Sequence, residues 1–211
     1  MDRSAIILGG GSSSRFGEDK GVIQLDNKPL LNHVIDAVKG LVEEVIVVTN
    51  SKERTNLYAK LVSPKVKFAV DVCESNGPLI GALTGFEVAQ GKYSLLLPFD
   101  NPFVSREVVS LLFELCIGKL AAIPRWPNNQ IEPLHAVYQT KQALDAAKKA
   151  LAQNELDLRA MISKMQGVRY ISTLVIEQLD PDLRTFFNIN TPLDLKKAMA
   201  ITKPRKIRKH Q

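Results

Sequence analysis

The sequence predicts an α/β fold of three layers, α/β/α, with helices on both faces of a mostly parallel central sheet. The main observation is that short apolar, β-branched runs alternate with helical patterns along the chain. These runs are continuously apolar, which is typical of parallel strands that are buried on both faces. The chain has 211 residues, 45% of them hydrophobic and 24% charged, and these values suit one globular domain.

Seven strands are predicted from the apolar runs. The first, Ser4–Leu8, ends directly before a glycine-rich stretch, and the second, Glu44–Thr49, is mostly valine and isoleucine. In chain order the others are Val66–Asp71, Ser94–Pro98, Leu120–Pro124, Ala136–Gln139 and Arg184–Asn188. The helical patterns between them predict crossover connections, which join parallel strands.

The first two predicted helices are Leu30–Val42 and the segment that follows Ser105. Four apolar residues of the first helix share one helical face: Leu30, Val34, Val38 and Leu41. The second helix begins at Ser105, whose hydroxyl can cap it, and runs through Ile117 to a stop at Gly118.

Three further helices are predicted in the last third of the chain. Two are Lys141–Ala152 and Glu155–Gln166, with Asn154 as a cap and Gly167 as a stop for the second. The run Thr191–Asp194 predicts the start of the last helix, because it supplies a threonine cap, a proline in the first turn and an aspartate three residues after the cap.

A glycine- and serine-rich segment, residues 9–14, directly follows the first strand. Its three glycines allow backbone N–H groups to approach an anion closely. Arg15 and Lys20 then add positive charge at two further points, and the combination suits a triphosphate. The alternative is a simple turn. Ligands of parallel sheets bind beyond the carboxyl ends of the strands, which is where this segment lies.

Two other phosphate-binding motifs do not fit the sequence. The P-loop pattern G-x-x-x-x-G-K-[ST] does not occur. The dinucleotide pattern G-x-G-x-x-G fails because Ser14 stands where the third glycine is needed. The sequence therefore argues against a P-loop ATPase and against a dinucleotide-dependent dehydrogenase.

Acidic and amide side chains follow other predicted strands. Asp100 ends the strand before it and is a candidate Mg²⁺ ligand, the alternative being a cap of the next turn. Asn188 and Asn190 can hold phosphate or metal-bound water, the alternative being turn and capping chemistry. Asp71 can accept hydrogen bonds from the paired N–H donors of guanine.

Four segments together resemble the molybdenum cofactor guanylyltransferases, a branch of the nucleotidyltransferase superfamily. The glycine-rich loop with Arg15 and Lys20 resembles the superfamily signature. The segment Gly77–Gly81 resembles the G-P-L-x-G turn of these enzymes, and Pro98–Pro102 resembles their strand-end acid followed by proline. The run Phe187–Asp194 resembles the F-x-N-x-N-T-P-x-[DE] ending, which narrows the match to this branch.

The resemblance implies a Rossmann-like nucleotidyltransferase fold and a role for each candidate residue. The residues that would contact the nucleotide are Leu8, Gly9 and Gly10, with Asn50 and Asp71 at the guanosine. The residues that would act at the phosphates are Lys20, Arg15 at the departing pyrophosphate, and Asp100 as the Mg²⁺ ligand. Asn188 and Asn190 would lie near the acceptor and the metal.

The implied reaction transfers GMP from GTP to the terminal phosphate of molybdopterin and releases pyrophosphate, with Mg²⁺ as cofactor. GTP and molybdopterin would be the ligands, and molybdoenzyme maturation proteins are candidate partners. Two alternatives stay open. One is an NTP transferase that acts on another phosphorylated acceptor, of the cytidylyl or sugar-phosphate type. The other is a non-catalytic nucleotide-binding adaptor that uses a basic tail.

Positive charge is concentrated at the end of the chain. Of a net charge of +6, five charges lie in residues 203–209, so the body carries about +1 and does not predict a nucleic-acid surface. Residues 1–202 are expected to form one domain, and residues 203–211 a flexible tail. No apolar run approaches the roughly 20 residues that span a bilayer, and no signal peptide is recognisable, so a cytoplasmic location is expected.

Overall fold

The computed structural model describes residues 1–10, 16–17, 19–71 and 77–203. Seven strands in these residues form one central sheet, and two short strands form a separate hairpin. In chain order the strands are β1 (Arg3–Leu8), β2 (Gln24–Leu25), β3 (Lys28–Pro29), β4 (Glu44–Thr49), β5 (Lys67–Val70), β6 (Tyr93–Pro98), β7 (Ala121–Arg125), β8 (Ala136–Gln139) and β9 (Val168–Ser172).

The central sheet has the strand order β5-β4-β1-β6-β8-β7-β9. Strands β5, β4, β1 and β6 are parallel, β8 runs antiparallel to both of its neighbours, and β9 pairs in parallel with β7. The sheet is therefore mixed and mostly parallel, which confirms the predicted fold class. Leu8 is in register with Val48 and with Pro98, so the carboxyl ends of β4, β1 and β6 lie side by side.

Helices cover both faces of this sheet. They are α1 (Leu30–Val38), α2 (Lys52–Ala59), α3 (Pro78–Val88), α4 (Arg106–Cys116), α5 (Thr140–Ala152), α6 (Leu158–Ser163), α7 (Thr173–Ile176) and α8 (Pro192–Thr202). Helices α3, α5 and α6 pack on one face, and α1, α2 and α4 pack on the other. None of the helices in the described ranges has the length and apolar character needed to span a membrane.

Strand β1 shows why the sequence produces two apolar layers. Its side chains alternate between the faces, so Ile6 packs in the cluster under α3 while Ala5 and Ile7 pack in the cluster under α1 and α4. All three residues are fully buried. A strand with helices on both sides has no solvent face, and its continuous apolar run follows from that burial.

One predicted element is wrong, and another is about half its predicted length. The segment Arg184–Asn188, predicted as a strand, contains a 3-10 turn at Arg184–Phe186. Side chains occupy the backbone groups that a ladder would need: Thr185 N donates to Asp180 Oδ2, and the Thr185 carbonyl accepts from Asn101 Nδ2. The predicted helix Glu155–Gln166 is present as the shorter helix α6, which begins later because Asp157 caps it by accepting from the Arg159 amide and which ends at Ser163.

Other boundaries differ less. Helix α1 ends at Val38 rather than at residue 42, and Gly40 follows with a left-handed φ of 78°. Asn154 is not the predicted cap, since it takes a left-handed φ of 57° between α5 and α6. The structure also contains α2, α3 and the edge strand β9, which the apolar pattern did not predict.

Candidate active site

An open cavity of about 660 Å³ lies beyond the carboxyl ends of β5, β4, β1 and β6. The ends of these four strands and the loops that follow them form its wall. The lining residues are Leu8, Gly10, Val48, Thr49, Asn50, Arg54, Asp71, Gly77, Pro78, Gly81, Pro98, Phe99, Asp100, Leu134, Asn188 and Asn190. Its volume is in the range of a small-molecule site.

Seven of the ten candidate residues from the sequence line this cavity. They are Leu8, Gly10, Asn50, Asp71, Asp100, Asn188 and Asn190. Gly9 lies behind the wall, where its amide donates to the Val48 carbonyl at 2.7 Å. A Cβ at Gly9 would lie 3.1 Å from both the Tyr58 ring and the Val48 oxygen, so the close packing favours glycine. Arg15 lies outside the described residues.

Lys20 joins two of these residues at the cavity. Its Nζ donates to Asp100 Oδ2 at 3.1 Å and to Asn190 Oδ1 at 2.9 Å. The Lys20 and Asp100 side chains are each 13% exposed, so the ion pair is largely shielded from water. The three residues come from the first, middle and last parts of the chain, and the fold places them together.

Asp19 fixes the backbone next to Lys20. Its Oδ1 accepts from the Gly21 amide at 2.8 Å and from Tyr58 Oη at 2.5 Å, while its Oδ2 accepts from Arg54 Nε at 2.6 Å. A Cβ at Gly21 would lie 2.4 Å from the Tyr58 ring, so only glycine allows this approach. Asp19 therefore anchors the Lys20 segment to helix α2.

The Tyr58 hydroxyl remains protonated in this arrangement. Burial and the neighbouring Asp19 carboxylate both raise the pKa of Tyr58 well above its ordinary value. The phenol therefore donates to Asp19 over the whole physiological range. Sequence reasoning missed Arg54 and Tyr58, because α2 has few apolar residues and its only buried residue is Tyr58. It missed Asp19 because the side chains that bind Asp19 are distant in the sequence.

The start of α8 fixes Asn190. Thr191 Oγ1 accepts from the Asp194 amide, and Asp194 Oδ2 accepts from the Thr191 and Asn190 amides at 2.9 and 3.2 Å. The hydrogen bond from Thr191, reinforced by the two amides, lowers the pKa of Asp194. This capping box confirms the helix start predicted from the sequence.

The Asn188 side chain has an unsatisfied oxygen on the wall of the cavity. Its Oδ1 is buried and has no hydrogen-bond partner among the described residues. A buried amide oxygen without a partner costs free energy, and a cation or a donor on a ligand would satisfy it. Asn188 Oδ1 is therefore a second oxygen, besides the Asp100 carboxylate, that suits a hard cation.

Two histidines lie away from the cavity surface. His135 is buried against Phe186 and contacts Asn101 Nδ2 through Nε2 at 2.8 Å, while its neighbour Leu134 lines the cavity. Burial lowers the pKa of His135 to about 3, so its imidazole is neutral. His33 Nε2 lies 2.9 Å from the Leu25 carbonyl, as expected of a packed histidine.

The oxygen ligands fit Mg²⁺ better than a transition metal. Over residues 1–10, 16–17, 19–71 and 77–203, no three His, Cys, Asp or Glu side chains cluster as a metal site. The Asp100 carboxylate and the amide oxygens of Asn188 and Asn190 are the candidate ligands at the cavity. Mg²⁺ commonly uses one or two protein carboxylates and takes its other ligands from water and substrate phosphates.

Comparisons with known proteins identify a sequence family that matches most of the chain. Residues 5–168 match the sequence family described as the MobA-like NTP transferase domain. The chain is 36% identical to a probable molybdenum cofactor guanylyltransferase of Methanosarcina mazei, over 96% of this chain and 92% of the relative. It is 29% identical to a molybdenum cofactor guanylyltransferase of Desulfosudis oleivorans, over 97% of this chain and 98% of the relative.

A solved structure supports the same comparison. Molybdopterin-guanine dinucleotide biosynthesis protein A from Archaeoglobus fulgidus superposes with a TM-score of 0.78 at 26% sequence identity. The superposition covers 94% of this chain and 97% of that chain. The likeness of fold therefore extends over nearly the whole of both chains.

Proposed function

The chain belongs to the MobA-like NTP transferase family, and we propose that it is a molybdenum cofactor guanylyltransferase. The proposed reaction takes GTP and molybdopterin as substrates. An oxygen of the molybdopterin phosphate forms a bond to the α-phosphorus of GTP. The bond from the α-phosphorus to the bridging oxygen of the β-phosphate breaks, and pyrophosphate leaves. The product is the guanine dinucleotide of the cofactor.

The contact that carries this proposal is the junction of Lys20, Asp100 and Asn190 at the strand-end cavity. It combines one cation, one carboxylate and one amide within hydrogen-bond distance. A nucleotidyl transfer requires charge neutralisation around an α-phosphate and alignment of two anionic substrates. Lys20 supplies positive charge at this point, and Arg15 is proposed to hold the departing pyrophosphate.

Mg²⁺ is proposed to bind at Asp100, with the oxygens of Asn188 and Asn190 close to it. When bound, the ion would neutralise phosphate charge and orient the triphosphate. In the structure the Lys20 ammonium neutralises the Asp100 carboxylate. Lys20 must therefore exchange partners when the nucleotide arrives, and its flexible stem allows that exchange.

The acceptor phosphate is already anionic, so the reaction needs no general base from the protein. The neutral, buried His135 is therefore left out of the mechanism. Catalysis is expected to come from positioning and electrostatic stabilisation, in which groups fixed by the fold meet the charge of the transition state. Asn50 and Asp71, on neighbouring strand ends, are proposed to hold the guanosine.

The direct test is product formation by the full chain. The protein is incubated with Mg²⁺, molybdopterin and an equal mixture of the four NTPs, and products are identified by mass spectrometry. The proposal expects the guanine dinucleotide and an equal amount of pyrophosphate. Asp100→Ala should abolish both, while Asp145→Ala, which removes an exposed carboxylate on α5, should not. A cytosine dinucleotide as the main product would contradict the proposal.

A further inference from the structure

Arg54 is a charged residue at the cavity that the proposed reaction does not use. It lies on α2, lines the cavity, and its side chain is only 17% exposed. Such shielding is unusual for a surface-helix arginine and indicates a fixed position. Arg54 lies between the segment of Lys20 and the end of β4, where Asn50 lies.

The guanidinium makes two directed contacts. Arg54 Nε donates to Asp19 Oδ2 at 2.6 Å, and Arg54 Nη1 donates to Asn50 Oδ1 at 2.9 Å. The Asp19 carboxylate in turn accepts hydrogen bonds from the Gly21 amide and the Tyr58 hydroxyl, so it gives the Arg54 guanidinium a fixed partner. A planar guanidinium can serve both acceptors at once, and a lysine ammonium cannot reproduce that geometry.

This contact determines which way the Asn50 carboxamide faces. Arginine has five N–H donors and no acceptor, so the Asn50 atom next to it must be the oxygen. The remaining polar atom of the carboxamide is Nδ2. Asn50 Nδ2 is therefore the atom left to donate to a ligand in the cavity, because Oδ1 is turned toward Arg54.

A donor at this position discriminates between purines. Guanine carries an acceptor, O6, at the position where adenine carries the N6 amino donor. An N–H group can donate to guanine O6, whereas it repels the N6 amino group of adenine. If the carboxamide were free to rotate, its oxygen could turn toward the cavity and accept from an adenine amino group.

We propose that Arg54 is a positioning residue for base selection: by holding Asn50 Oδ1, it aims the Asn50 amide N–H at the 6-oxo group of the purine. This inference rests on the proposed function, since it assumes that the guanine of GTP lies next to Asn50. Arg54 itself need not touch the nucleotide. The 6-oxo purine nucleoside triphosphates, GTP and ITP, are then the favoured class.

The competing explanation is that Arg54 binds the triphosphate directly. An arginine that contacts phosphates contributes equally to every NTP, because all four carry the same triphosphate. An arginine that orients Asn50 contributes only where the base offers an acceptor at position 6. The two roles therefore predict different GTP-to-ATP affinity ratios. A general loss of stability or of charge does not change this ratio.

The test measures calorimetric affinities of Mg²⁺-GTP, Mg²⁺-ITP and Mg²⁺-ATP for the full chain and three variants. Arg54→Met removes both contacts. Lys52→Ala, an exposed residue of the same helix, is the matched control for loss of one positive charge. Asn50→Asp keeps an oxygen for Arg54 but replaces the amide donor with an acceptor.

Arg54→Met is expected to weaken the binding of GTP and of ITP by the same factor, roughly five- to twentyfold, which is the effect of one hydrogen bond. The GTP-to-ATP affinity ratio should fall by a similar factor, since any displacement of Asp19 and the Lys20 segment weakens the binding of every NTP alike. Lys52→Ala should leave this ratio unchanged. Asn50→Asp should lower the GTP-to-ATP affinity ratio, while Asp71 is still expected to accept from the N–H donors of guanine. Because it preserves the Arg54 contact, Asn50→Asp tests the proposal even if Arg54→Met does not fold.

Two results would overturn the inference. One is an equal loss for all three nucleotides in Arg54→Met, which would make Arg54 a phosphate ligand. The other is an unchanged GTP preference in Asn50→Asp. Wild-type protein that binds ATP as tightly as GTP would refute the proposed function together with this inference. Wild-type guanine preference combined with either of the first two results would refute the inference alone.

Discussion

Lys20 is the residue that connects two of the candidate site residues at the cavity. Its ammonium bonds to Asp100 and Asn190, and its backbone is held through Asp19. The ion pair is largely shielded, but Asp100 lines the open cavity, so water can solvate its carboxylate when the lysine is truncated. The loss of the pair should therefore cost little stability, whereas the Lys20 charge lies where a triphosphate is proposed to bind. Lys20 should therefore matter far more for turnover than for folding.

The variant Lys20→Ala is expected to lower kcat by about 100-fold or more, the effect of removing one group that stabilises transition-state charge. Its free energy of unfolding should change by about 1 kcal/mol or less. Steady-state kinetics and urea unfolding measure the two quantities. Lys141→Ala, an exposed lysine on α5, is the control for the loss of charge. A kcat within twofold of wild type would remove Lys20 from the mechanism.

Gly21 is a second residue whose identity the structure requires. A Cβ there would lie 2.4 Å from the ring of Tyr58, which is fully buried and cannot move aside. We expect Gly21→Ala to destabilise the protein by about 1–3 kcal/mol, the cost of overpacking, and to lower activity by displacing Asp19. Urea unfolding and steady-state kinetics test both parts.

The matched control is Gly10→Ala. A Cβ at Gly10 would meet the nearest atom, Asn50 Cβ, at 3.8 Å, an ordinary contact. Its unfolding free energy should therefore stay near that of wild type. Equal stability of the two variants would show that the approach of Tyr58 to Gly21 is not constrained as described.

At the scale of elements, the start of α8 determines the position of Asn190. The capping box of Thr191 and Asp194 satisfies the first amides of the helix and also binds the Asn190 amide. Thr191→Ala should cost about 0.5–2 kcal/mol of unfolding free energy. It should also raise KM for GTP, because Asn190 loses its support. Leu193→Ala, at a 60% exposed position in the same turn, is the control for both measurements.

The elements that the sequence predicted best are those whose signal is local. The capping box of α8 and the cap of α4 at Ser105 involve residues three apart, and both are present in the structure. The strands β4 and β8 have the predicted bounds. Their apolar runs are unambiguous because each strand is covered on both faces.

The elements that were missed depend on contacts between distant residues. Arg184–Asn188 has the composition of a strand, but the side chains of Asn101 and Asp180 take its backbone hydrogen bonds. Helix α2 lacks an apolar face because it buries only Tyr58. The candidate site shows the same division: glycines and acids at strand ends were predictable, whereas the Asp19–Arg54 pair was not.

At the scale of the whole molecule, a second polar cluster lies at the amino ends of the strands, at the opposite end of the sheet from the cavity. Glu44, at the start of β4, accepts from Ser4 Oγ and the Gln90 amide through Oε2 and from Lys67 Nζ through Oε1. Its side chain is 1% exposed. This cluster joins β1, β4, β5 and the end of α3, so it should stabilise the fold without touching the site.

The same cluster predicts a pH dependence of stability. Burial alone would raise the pKa of Glu44, but hydrogen bonds from Lys67, Ser4 and Gln90 more than offset it, and the pKa is lowered. A lowered carboxyl pKa gives stabilisation that is complete above the pKa of an unfolded glutamate, about 4.3. It is lost as the pH falls through the lower pKa of the folded state.

Glu44→Gln should therefore destabilise the protein by about 1–3 kcal/mol near pH 7 and by less near pH 3. Urea unfolding at the two pH values measures the difference. Turnover at pH 7 without urea should not change, because the cluster lies away from the cavity. A difference that grows as the pH falls would mean that Glu44 is not stabilised as a carboxylate.

The central claim is that the cavity at the strand ends binds a guanine nucleotide for transfer. The most direct measurement is calorimetric titration of the full chain with GTP, CTP, ATP and UTP, each with Mg²⁺. We predict one site per chain that binds GTP most tightly and is weakened by Asp100→Ala. Tighter binding of CTP would contradict the guanylyltransferase assignment, and no binding of any NTP would contradict the assignment of the cavity as a nucleotide site.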